Sequence, residues 1–137
     1  MIFAPYTQAH RERCLCLFDA NCPEFFAPVE RAEYEAFLAP GLEGYLVCIV
    51  DDEVVGAFGM HDAEGYCLRW ILIDPAAQGR GVGSAMMTRV LEIGDGRAIS
   101  VAASHKSAPF FARFGARVVE ETPDGWGPGM HRVDMEL

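Results

Sequence analysis

Residues 70–84 are the most informative part of this 137-residue sequence and read WILIDPAAQGRGVGS. The apolar run Trp70–Ile73 predicts a buried strand, and Pro75 marks the turn that follows it. Three glycines then alternate with other residues before a helical pattern begins, at Gly79, Gly81 and Gly83. Glycines let successive backbone N–H groups face a ligand, and a helix N-terminus adds partial positive charge. The segment therefore predicts a strand–loop–helix site for a phosphate or diphosphate.

Two other glycine-rich phosphate sites do not fit these residues. The dinucleotide pattern G-x-G-x-x-G fails because Ser84 stands where the third glycine is needed. The P-loop pattern G-x-x-x-x-G-K-[ST] requires a glycine directly before its lysine. Lys106 is the one lysine of the chain, and no glycine precedes it. The sequence therefore supports neither dinucleotide binding nor a P-loop.

The elements after this segment alternate between helix and strand. A helix from Gly81 to Ile93 is predicted by apolar residues at helical spacing, and a buried strand follows at Ile99–Ala102. Next come a short helix at Ala108–Phe114 and a strand at Arg117–Glu121. A loop with three glycines and two prolines, residues 123–129, then leads to a last strand at His131–Glu136.

The elements before the segment begin with a strand at Ile2–Ala4 and a helix between Thr7 and Pro23. A second helix is predicted to bury one apolar face and to end at Pro40, with the face formed by Val29, Ala32, Ala36 and Phe37. Three strands follow, the first two joined by a hairpin at Asp51-Asp52: residues 45–50, 54–60 and 66–73. The order β-α-α-β-β-β-α-β-α-β-β predicts an α/β fold in which helices flank a mixed, mostly antiparallel sheet. Residues 1–137 are expected to form one domain.

Composition excludes several classes of function. Eleven Lys and Arg against twenty Asp and Glu give a net charge of −9, which argues against nucleic-acid or anionic-membrane partners. No apolar run approaches the length of a membrane span, and the first residues lack a signal-peptide layout, so a cytoplasmic protein is expected. The five cysteines show no C-x-x-C spacing and the four histidines are scattered. Neither a disulfide framework nor a metal site is therefore expected.

The arrangement resembles the GCN5-related N-acetyltransferase (GNAT) superfamily, whose acetyl-CoA signature is Gln/Arg-x-x-Gly-x-Gly/Ala after a strand ending in an apolar-x-Pro turn. Here residues 78–83, QGRGVG, follow Ile73-Asp74-Pro75. A second family block has an Asn about seven residues before a Tyr, with Gly-Phe four residues beyond the Tyr. Ser104, Phe111 and Gly115-Ala116 occupy those places. The resemblance covers nearly the whole chain and implies an acetyl-CoA-dependent N-acetyltransferase.

The resemblance also implies which residues hold the cosubstrate acetyl-CoA. Backbone N–H groups between Gln78 and Ser84 would bind the diphosphate, and the strand before the loop would lie beside the pantetheine. The N–H of Ile73 would donate to the thioester oxygen, and Phe111 would lie beside the sulfur. The implied cofactor-binding residues are Ile71, Leu72, Ile73, Gln78, Gly79, Arg80, Gly81, Val82, Gly83, Ser84 and Phe111.

Proton transfer needs other residues, because the family's usual acid is a Tyr and Phe111 carries no proton to give. Ser104 or a water would protonate the CoA thiolate, or the thiolate would leave unassisted. The family often places a basic Glu on the strand before the loop, and residues 67–70 contain none. His61 is the candidate base because a histidine titrates near neutrality. The alternatives are Asp62, Glu64 or a water chain.

The acceptor is expected to be a primary amine of a small molecule or of a protein. Arg69 would select an acidic acceptor if it faces the cleft, or would form an ordinary ion pair. Aromatic residues would form an acceptor pocket or simply pack in the core: Phe25, Phe26, Trp70 and Trp126. Residues 125–132 are a candidate binding loop or homodimer contact. A non-catalytic acyl-CoA-binding or regulatory module of the same fold is the alternative to an enzyme.

Overall fold

A computed structural model of the chain describes residues 1–62 and 65–137. Its strands and helices are β1 (Ile2–Pro5), α1 (Arg11–Ala20), α2 (Glu30–Phe37), β2 (Tyr45–Val50), β3 (Glu53–Asp62), β4 (Tyr66–Ile73), α3 (Val82–Gly94), β5 (Ile99–Ser104), α4 (Ala108–Ala112), β6 (Arg117–Gly127) and β7 (Met130–Glu136). Short 3₁₀ turns precede α1 and follow β4, at Gln8–His10 and Pro75–Ala77. The predicted succession of strands and helices is confirmed. None of the helices in the described part of the chain is long and apolar enough to cross a lipid bilayer.

The seven strands form one sheet in the order β1-β2-β3-β4-β5-β7-β6. Each neighbouring pair is antiparallel except β4–β5, which is parallel. The predicted hairpin between β2 and β3 is present, and Asp51 and Asp52 have φ angles of 51° and 64°. Two successive left-handed residues are what a type I′ hairpin turn requires. The sheet is therefore mixed and mostly antiparallel, as predicted.

Helices cover both faces of the sheet, and the β2–β3 register shift at Val55 interrupts the alternation of side chains along β3. On β3, Val54 and Ala57 pack with α1 and α2, whereas Val55 and Phe58 pack with α3 and α4. The predicted apolar stripe of α3 comprises Val82, Ala85, Met86, Val90 and Ile93. Val82, Met86 and Val90 are at most 2% exposed, and Ala85 and Ile93 are half-buried. Met87, outside the predicted stripe, is also buried. Burying one such side chain stabilises the fold by roughly 1.5–3 kcal/mol. These two apolar layers hold the helices to the sheet.

The predicted buried face of α2 is wrong except at Phe37, which is half-buried and packs against the aromatic core. The helix buries Glu30 and Tyr34, whereas Val29 is 62% exposed. The Glu30 carboxylate accepts a hydrogen bond from the Ala27 N–H (2.8 Å), and the Tyr34 hydroxyl is 2.8 Å from that of Tyr45. Two other residues of the predicted face, Ala32 and Ala36, are exposed. Polar anchors, rather than the apolar pattern, set the rotation of this helix.

The predicted loop at residues 123–129 is also wrong, because β6 continues to Gly127. The β6–β7 register shifts between Thr122 and Gly127, and the connection shrinks to Pro128–Gly129. As β6 is an edge strand, the prolines and glycines do not break a central ladder. The hairpin places Trp126 beside the end of β5, where its indole N–H donates to Ala103 O (2.9 Å).

Candidate active site

Strands β4 and β5 separate partway along their length. They pair only between Tyr66–Leu68 and Ile99–Val101, although β4 continues to Ile73 and β5 to Ser104. A cavity of about 850 Å³ lies at this gap, lined by both strands, the glycine loop, α3, α4 and the α1–α2 connection. Its volume is typical of ligand-binding pockets, which span about 300–1,000 Å³.

An irregularity at Trp70 lies just past the last paired residues of β4. Trp70 has a φ of 47°, a left-handed conformation that is unfavourable for a bulky residue, and the β3–β4 register shifts between Ala57 and Gly59. The Tyr45 hydroxyl donates to Trp70 O (2.7 Å), and the centroid of the Trp70 indole lies 4.8 Å from that of the Tyr34 ring. Bulges of this kind interrupt strand pairing. The aromatic groups between α2 and the sheet thus stabilise the conformation that opens the cavity.

The loop between β4 and α3 presents a row of free N–H groups. Gly79 and Gly81 have φ angles of 78° and 76°, which glycine adopts without steric cost. Five N–H groups of this loop and of the first turn of α3 donate to no acceptor within residues 1–62 and 65–137. They belong to Gly79, Gly81, Val82, Gly83 and Ser84. The N–H groups of Gln78 and Arg80 instead donate to Pro75 O (3.2 Å) and Ala77 O (3.3 Å). Free donors at a helix N-terminus form a site for an anion such as a phosphate.

The start of this loop is anchored to α1. Asp74 Oδ1 accepts from the Ala76 N–H (2.9 Å), and Asp74 Oδ2 lies 2.7 Å from the Arg13 guanidinium. Arg13 Nε also donates to Val54 O on β3 (2.9 Å). The N–H row is therefore held in place by the sheet and α1 before any ligand binds.

The open edge of β4 offers a further donor at Ile73. The Asp74 N–H donates to Val55 O on β3 (2.8 Å), and backbone groups alternate in direction along a strand. The N–H and C=O of Ile73 therefore point away from β3, toward the gap. Ile73 O accepts from Asn21 Nδ2 (3.0 Å), which leaves the Ile73 N–H for a ligand.

Phe111 and Ser104 line the cavity from the β5–α4 side. Phe111 is only 2% exposed, and its ring packs edge-to-face against Phe110. Ser104 is buried, and its Oγ accepts from the Ser107 N–H (3.1 Å) while its N–H donates to Ser107 Oγ (3.0 Å). These bonds stabilise the turn into α4. A role for Ser104 in proton donation stays a prediction.

We expect Phe111→Tyr to retain the fold, changing the free energy of unfolding by less than about 1 kcal/mol, because Phe111 forms part of the cavity wall and the added hydroxyl can reach cavity water. Phe58→Tyr is the matched control, since Phe58 is fully buried within the sheet core and its hydroxyl would cost about 1–3 kcal/mol. Urea unfolding measures both. Equal destabilisation of the two variants would mean that Phe111 is sealed in the core.

Two predicted site residues lie away from this cavity. His61 is exposed on β3 and lines a neighbouring depression of about 400 Å³ with Arg132 and Asp134. The depression shares wall residues with the cavity, among them Arg69, but His61 does not line the cavity. Its assignment as the base therefore gains no support from the geometry. The Arg80 side chain lies 3.7 Å from Asp51 and outside the cavity wall. Of the alternatives to His61, Asp62 is exposed outside the cavity, and Glu64 lies outside the described residues. The remaining predicted cofactor residues all line the cavity: Ile71, Leu72, Ile73, Gln78, Gly79, Gly81, Val82, Gly83, Ser84 and Phe111.

The wall formed by the α1–α2 connection carries the predicted aromatic residues. Phe26 stacks on Trp70 with 6.0 Å between ring centroids, and Phe25 and Trp126 line the same cavity. Arg69 also lines it, with its guanidinium 5.7 Å from the centroid of the Phe37 ring, and it forms no ion pair within the described residues. The prediction that Arg69 faces the cleft is therefore consistent with its position.

Sequence reasoning missed five polar residues of the cavity: Asn21, Glu30, Glu33, Ser107 and Arg113. Glu30 follows Ala27 by three residues, the spacing at which a Glu side chain reaches back to an N-terminal backbone N–H. That spacing is the signal that identifies Glu30 as an inward-facing residue. Helical spacing places Asn21 on the buried face of α1 with Cys14, Leu17 and Phe18. No comparable pattern points to the other three.

Glu30 is the most strongly perturbed carboxyl group of this cavity. It is 4% exposed, and burial raises the pKa of its carboxyl from the usual 4.5 to about 7. The hydrogen bond from the Ala27 N–H lowers this pKa, and the negative charge of Glu33 raises it. A carboxyl with this pKa is partly ionised at neutral pH and can therefore accept or give a proton.

Comparisons with known proteins agree with this geometry. The sequence model of the acetyltransferase (GNAT) family matches residues 14–116 of the chain. None of the curated proteins matches the sequence significantly.

Solved structures share the fold over almost the whole chain. A GNAT-family protein from Desulfovibrio desulfuricans has a TM-score of 0.77 at 22% identity, covering 99% of this chain and 97% of that one. An aminoglycoside 6'-N-acetyltransferase complexed with coenzyme A has a TM-score of 0.74 at 14% identity, covering 100% and 96%. A ribosomal-protein-alanine N-acetyltransferase from Brucella melitensis has a TM-score of 0.74 at 15% identity, covering 100% and 99%. At these identities the likeness concerns the fold.

Proposed function

This chain belongs to the acetyltransferase (GNAT) family, and we propose that it transfers the acetyl group of acetyl-CoA to a primary amine of a small molecule or a protein. The observation that carries the proposal is the row of free N–H groups between Gly79 and Ser84, which lies next to the open edge of β4. The CoA diphosphate binds the N–H row. The pantetheine arm lies along β4 as an added strand would.

The acetyl group is transferred by direct attack on the thioester. The amine nitrogen forms a bond to the carbonyl carbon, and the bond between that carbon and the CoA sulfur breaks. Negative charge develops on the carbonyl oxygen, and the free Ile73 N–H is the donor aimed at it. The amine gives up one proton, and CoA leaves as the thiolate.

The departing thiolate needs no acid from Phe111. A thiol has a pKa near 8.5, so its thiolate is a fair leaving group at neutral pH. The Phe111 ring packs beside the sulfur without taking part in proton transfer, and a water or Ser104 supplies the proton.

The neighbouring structures support the cosubstrate but leave the acceptor open. The aminoglycoside acetyltransferase was solved with coenzyme A, which supports an acyl-CoA ligand for this fold. The names of the relatives point to different acceptors, an aminoglycoside and a ribosomal-protein alanine. The acceptor of this chain therefore has to be argued from its own cavity.

An assay of acetyl-CoA turnover distinguishes an enzyme from a non-catalytic acyl-CoA-binding module. The module is the alternative function, suggested by Phe111 in place of the usual Tyr. We expect purified protein with acetyl-CoA to release free thiol faster when a primary amine is added. The panel is 2-phenylethylamine, an aminoglycoside and an alanyl peptide, with thiol release measured by a colorimetric reagent. Binding of CoA by calorimetry with no amine-dependent release from any of the three would favour the binding module.

A further inference from the structure

The α1–α2 wall of the cavity contains two buried polar side chains, Asn21 and Glu30, which are 6% and 4% exposed. Asn21 Nδ2 donates to Leu17 O (2.8 Å) and Ile73 O (3.0 Å), so the amide nitrogen faces two carbonyls. Its Oδ1 must then point the other way. Glu30 uses one carboxylate oxygen, Oε2, to accept from the Ala27 N–H (2.8 Å).

The second oxygens, Asn21 Oδ1 and Glu30 Oε1, belong to side chains that line the cavity. Neither oxygen accepts a hydrogen bond from residues 1–62 or 65–137. Within these residues, every side-chain nitrogen or oxygen that is fully shielded from solvent has a hydrogen-bond partner. The two oxygens are therefore not fully shielded, and the cavity is the space that both residues line. Two hydrogen-bond acceptors without a described protein donor thus belong to the wall of the space next to the open edge of β4.

We propose that Glu30 is the catalytic base of the acetyl transfer and that Asn21 Oδ1 accepts a second hydrogen bond from the same amine. The proposal rests on the acetyltransferase function given above. A primary ammonium has N–H donors for both oxygens. It gives one proton to Glu30 Oε1, and the freed lone pair attacks the thioester carbon. As the carbon–sulfur bond breaks, the nitrogen gives up its second proton, which passes through water to the departing CoA thiolate, and Glu30 then releases its own proton to solvent. The Asn21 contact to Ile73 O places this amine beside the donor that stabilises the carbonyl oxygen.

The surroundings of Glu30 also indicate the class of acceptor. Glu33 adds a second negative charge at the exposed side of the cavity, which favours a cation. Phe25, Phe26 and Trp70 supply apolar surface beside it. A primary amine on an apolar or aromatic body fits this set. A carboxylate next to the amine would be repelled by both glutamates.

Other ionisable groups share this environment and enter the test. Glu33 lies on the same helix as Glu30, and the Cys22 thiol after α1 is close enough to be influenced by the charge of Glu30. Arg69 on β4 and Arg113 after α4 line the same cavity. Arg69 would favour an acceptor with a carboxylate, so the test compares amines with and without one.

The experiment measures kcat/KM for acetyl transfer to 2-phenylethylamine between pH 5.5 and 9. We expect wild-type kcat/KM to rise through about pH 7, because the ionised carboxylate is the base. Glu30→Gln should lower kcat/KM by about 10²- to 10³-fold and remove this inflection. The Gln side chain can still accept from the Ala27 N–H, so the helix start is preserved. Glu33→Gln should move the inflection to lower pH, since it removes a neighbouring negative charge.

Controls separate the base from other causes. Glu35 on the same helix pairs with Arg31 and does not line the cavity, so Glu35→Gln should keep the wild-type profile. Phenylalanine, which adds a carboxylate to the same body, should be acetylated at least about tenfold less efficiently. CoA affinity, measured by calorimetry, should be unchanged in Glu30→Gln.

Each outcome bears on one claim. Wild-type protein that fails to bind CoA contradicts the proposed function itself. Protein that binds CoA but leaves 2-phenylethylamine unacetylated, or that prefers phenylalanine, contradicts the proposed acceptor class. A Glu30→Gln variant with wild-type kcat/KM, or with the inflection retained, overturns the assignment of Glu30 as the base.

Discussion

Gly81→Asp is expected to weaken CoA binding by at least about 100-fold in calorimetry. Gly81 precedes α3, has a φ of 76°, and a Cβ added there would meet nothing within 4 Å. Asp tolerates this left-handed conformation better than most residues, so the fold should survive. Its carboxylate would stand among the free N–H groups, where it both occupies the donors and repels the diphosphate. Two unit charges 4 Å apart near a protein surface interact by about 4 kcal/mol, which is more than a 100-fold change requires.

Two matched variants isolate the cause. Gly81→Asn has nearly the same shape without the charge, and it should retain most of the affinity. Gly96→Asp adds the same charge at a φ of 79°, again with nothing within 4 Å of the added Cβ, but in the turn after α3 and outside the cavity. Undiminished binding by Gly81→Asp would remove the diphosphate from this loop, and equal losses in all three variants would indicate a general effect on folding.

The second large effect concerns stability and pH. Because burial raises the pKa of Glu30 from 4.5 to about 7, the folded protein holds this proton more tightly than the unfolded chain does. The stabilisation is fully present below about pH 4.5 and is lost as the pH rises through about 7. This difference between the folded and unfolded pKa values corresponds to about 3 kcal/mol of unfolding free energy. Wild-type protein should therefore lose about 3 kcal/mol of unfolding free energy, relative to Glu30→Gln, between pH 4.5 and pH 8.

Urea unfolding at several pH values measures this difference without any assay of activity. Glu24 is exposed in the loop before α2, and Glu24→Gln serves as the control because its carboxyl is not buried. The control should follow the wild-type pH dependence. Parallel curves for wild type and Glu30→Gln would show that Glu30 titrates alike in the folded and unfolded chains, and it would then be an ordinary capping residue.

The element order and the anion loop were predictable because both depend on local patterns. The stripe of α3 repeats at helical spacing, and the glycines of residues 79–83 precede a helix start. The turn at Asp51-Asp52 likewise uses residues suited to left-handed conformations. These signals lie within a few residues of one another, so the sequence order reveals them.

The features that the sequence did not reveal depend on contacts between distant elements. The rotation of α2 follows from the hydrogen bond between Tyr34 and Tyr45, and Val29 is left exposed as a result. The bulge at Trp70 is stabilised by the same group of aromatic residues. Since the position of Glu30 in the cavity depends on that rotation, the sequence did not identify Glu30, and His61 was predicted as the base from the usual pKa of a histidine.

The strand character of residues 122–127 was hidden for a different reason. Prolines and glycines usually mark a loop, but an edge strand tolerates them when its partner supplies the register. Here β7 provides that partner, and Trp126 is brought against Ala103 O. A residue of the cavity wall therefore comes from a segment that looks like a loop in the sequence.

A crystal structure with CoA bound is the most direct test of the claim that the gap between β4 and β5 is the cofactor site. We predict that the diphosphate accepts hydrogen bonds from the N–H groups of Gly81 to Ser84, and that the pantetheine runs along the open edge of β4. Its sulfur should lie beside Phe111 with the Ile73 N–H at the thioester end. A structure with CoA bound elsewhere, or with the diphosphate away from the N-terminus of α3, would contradict this account.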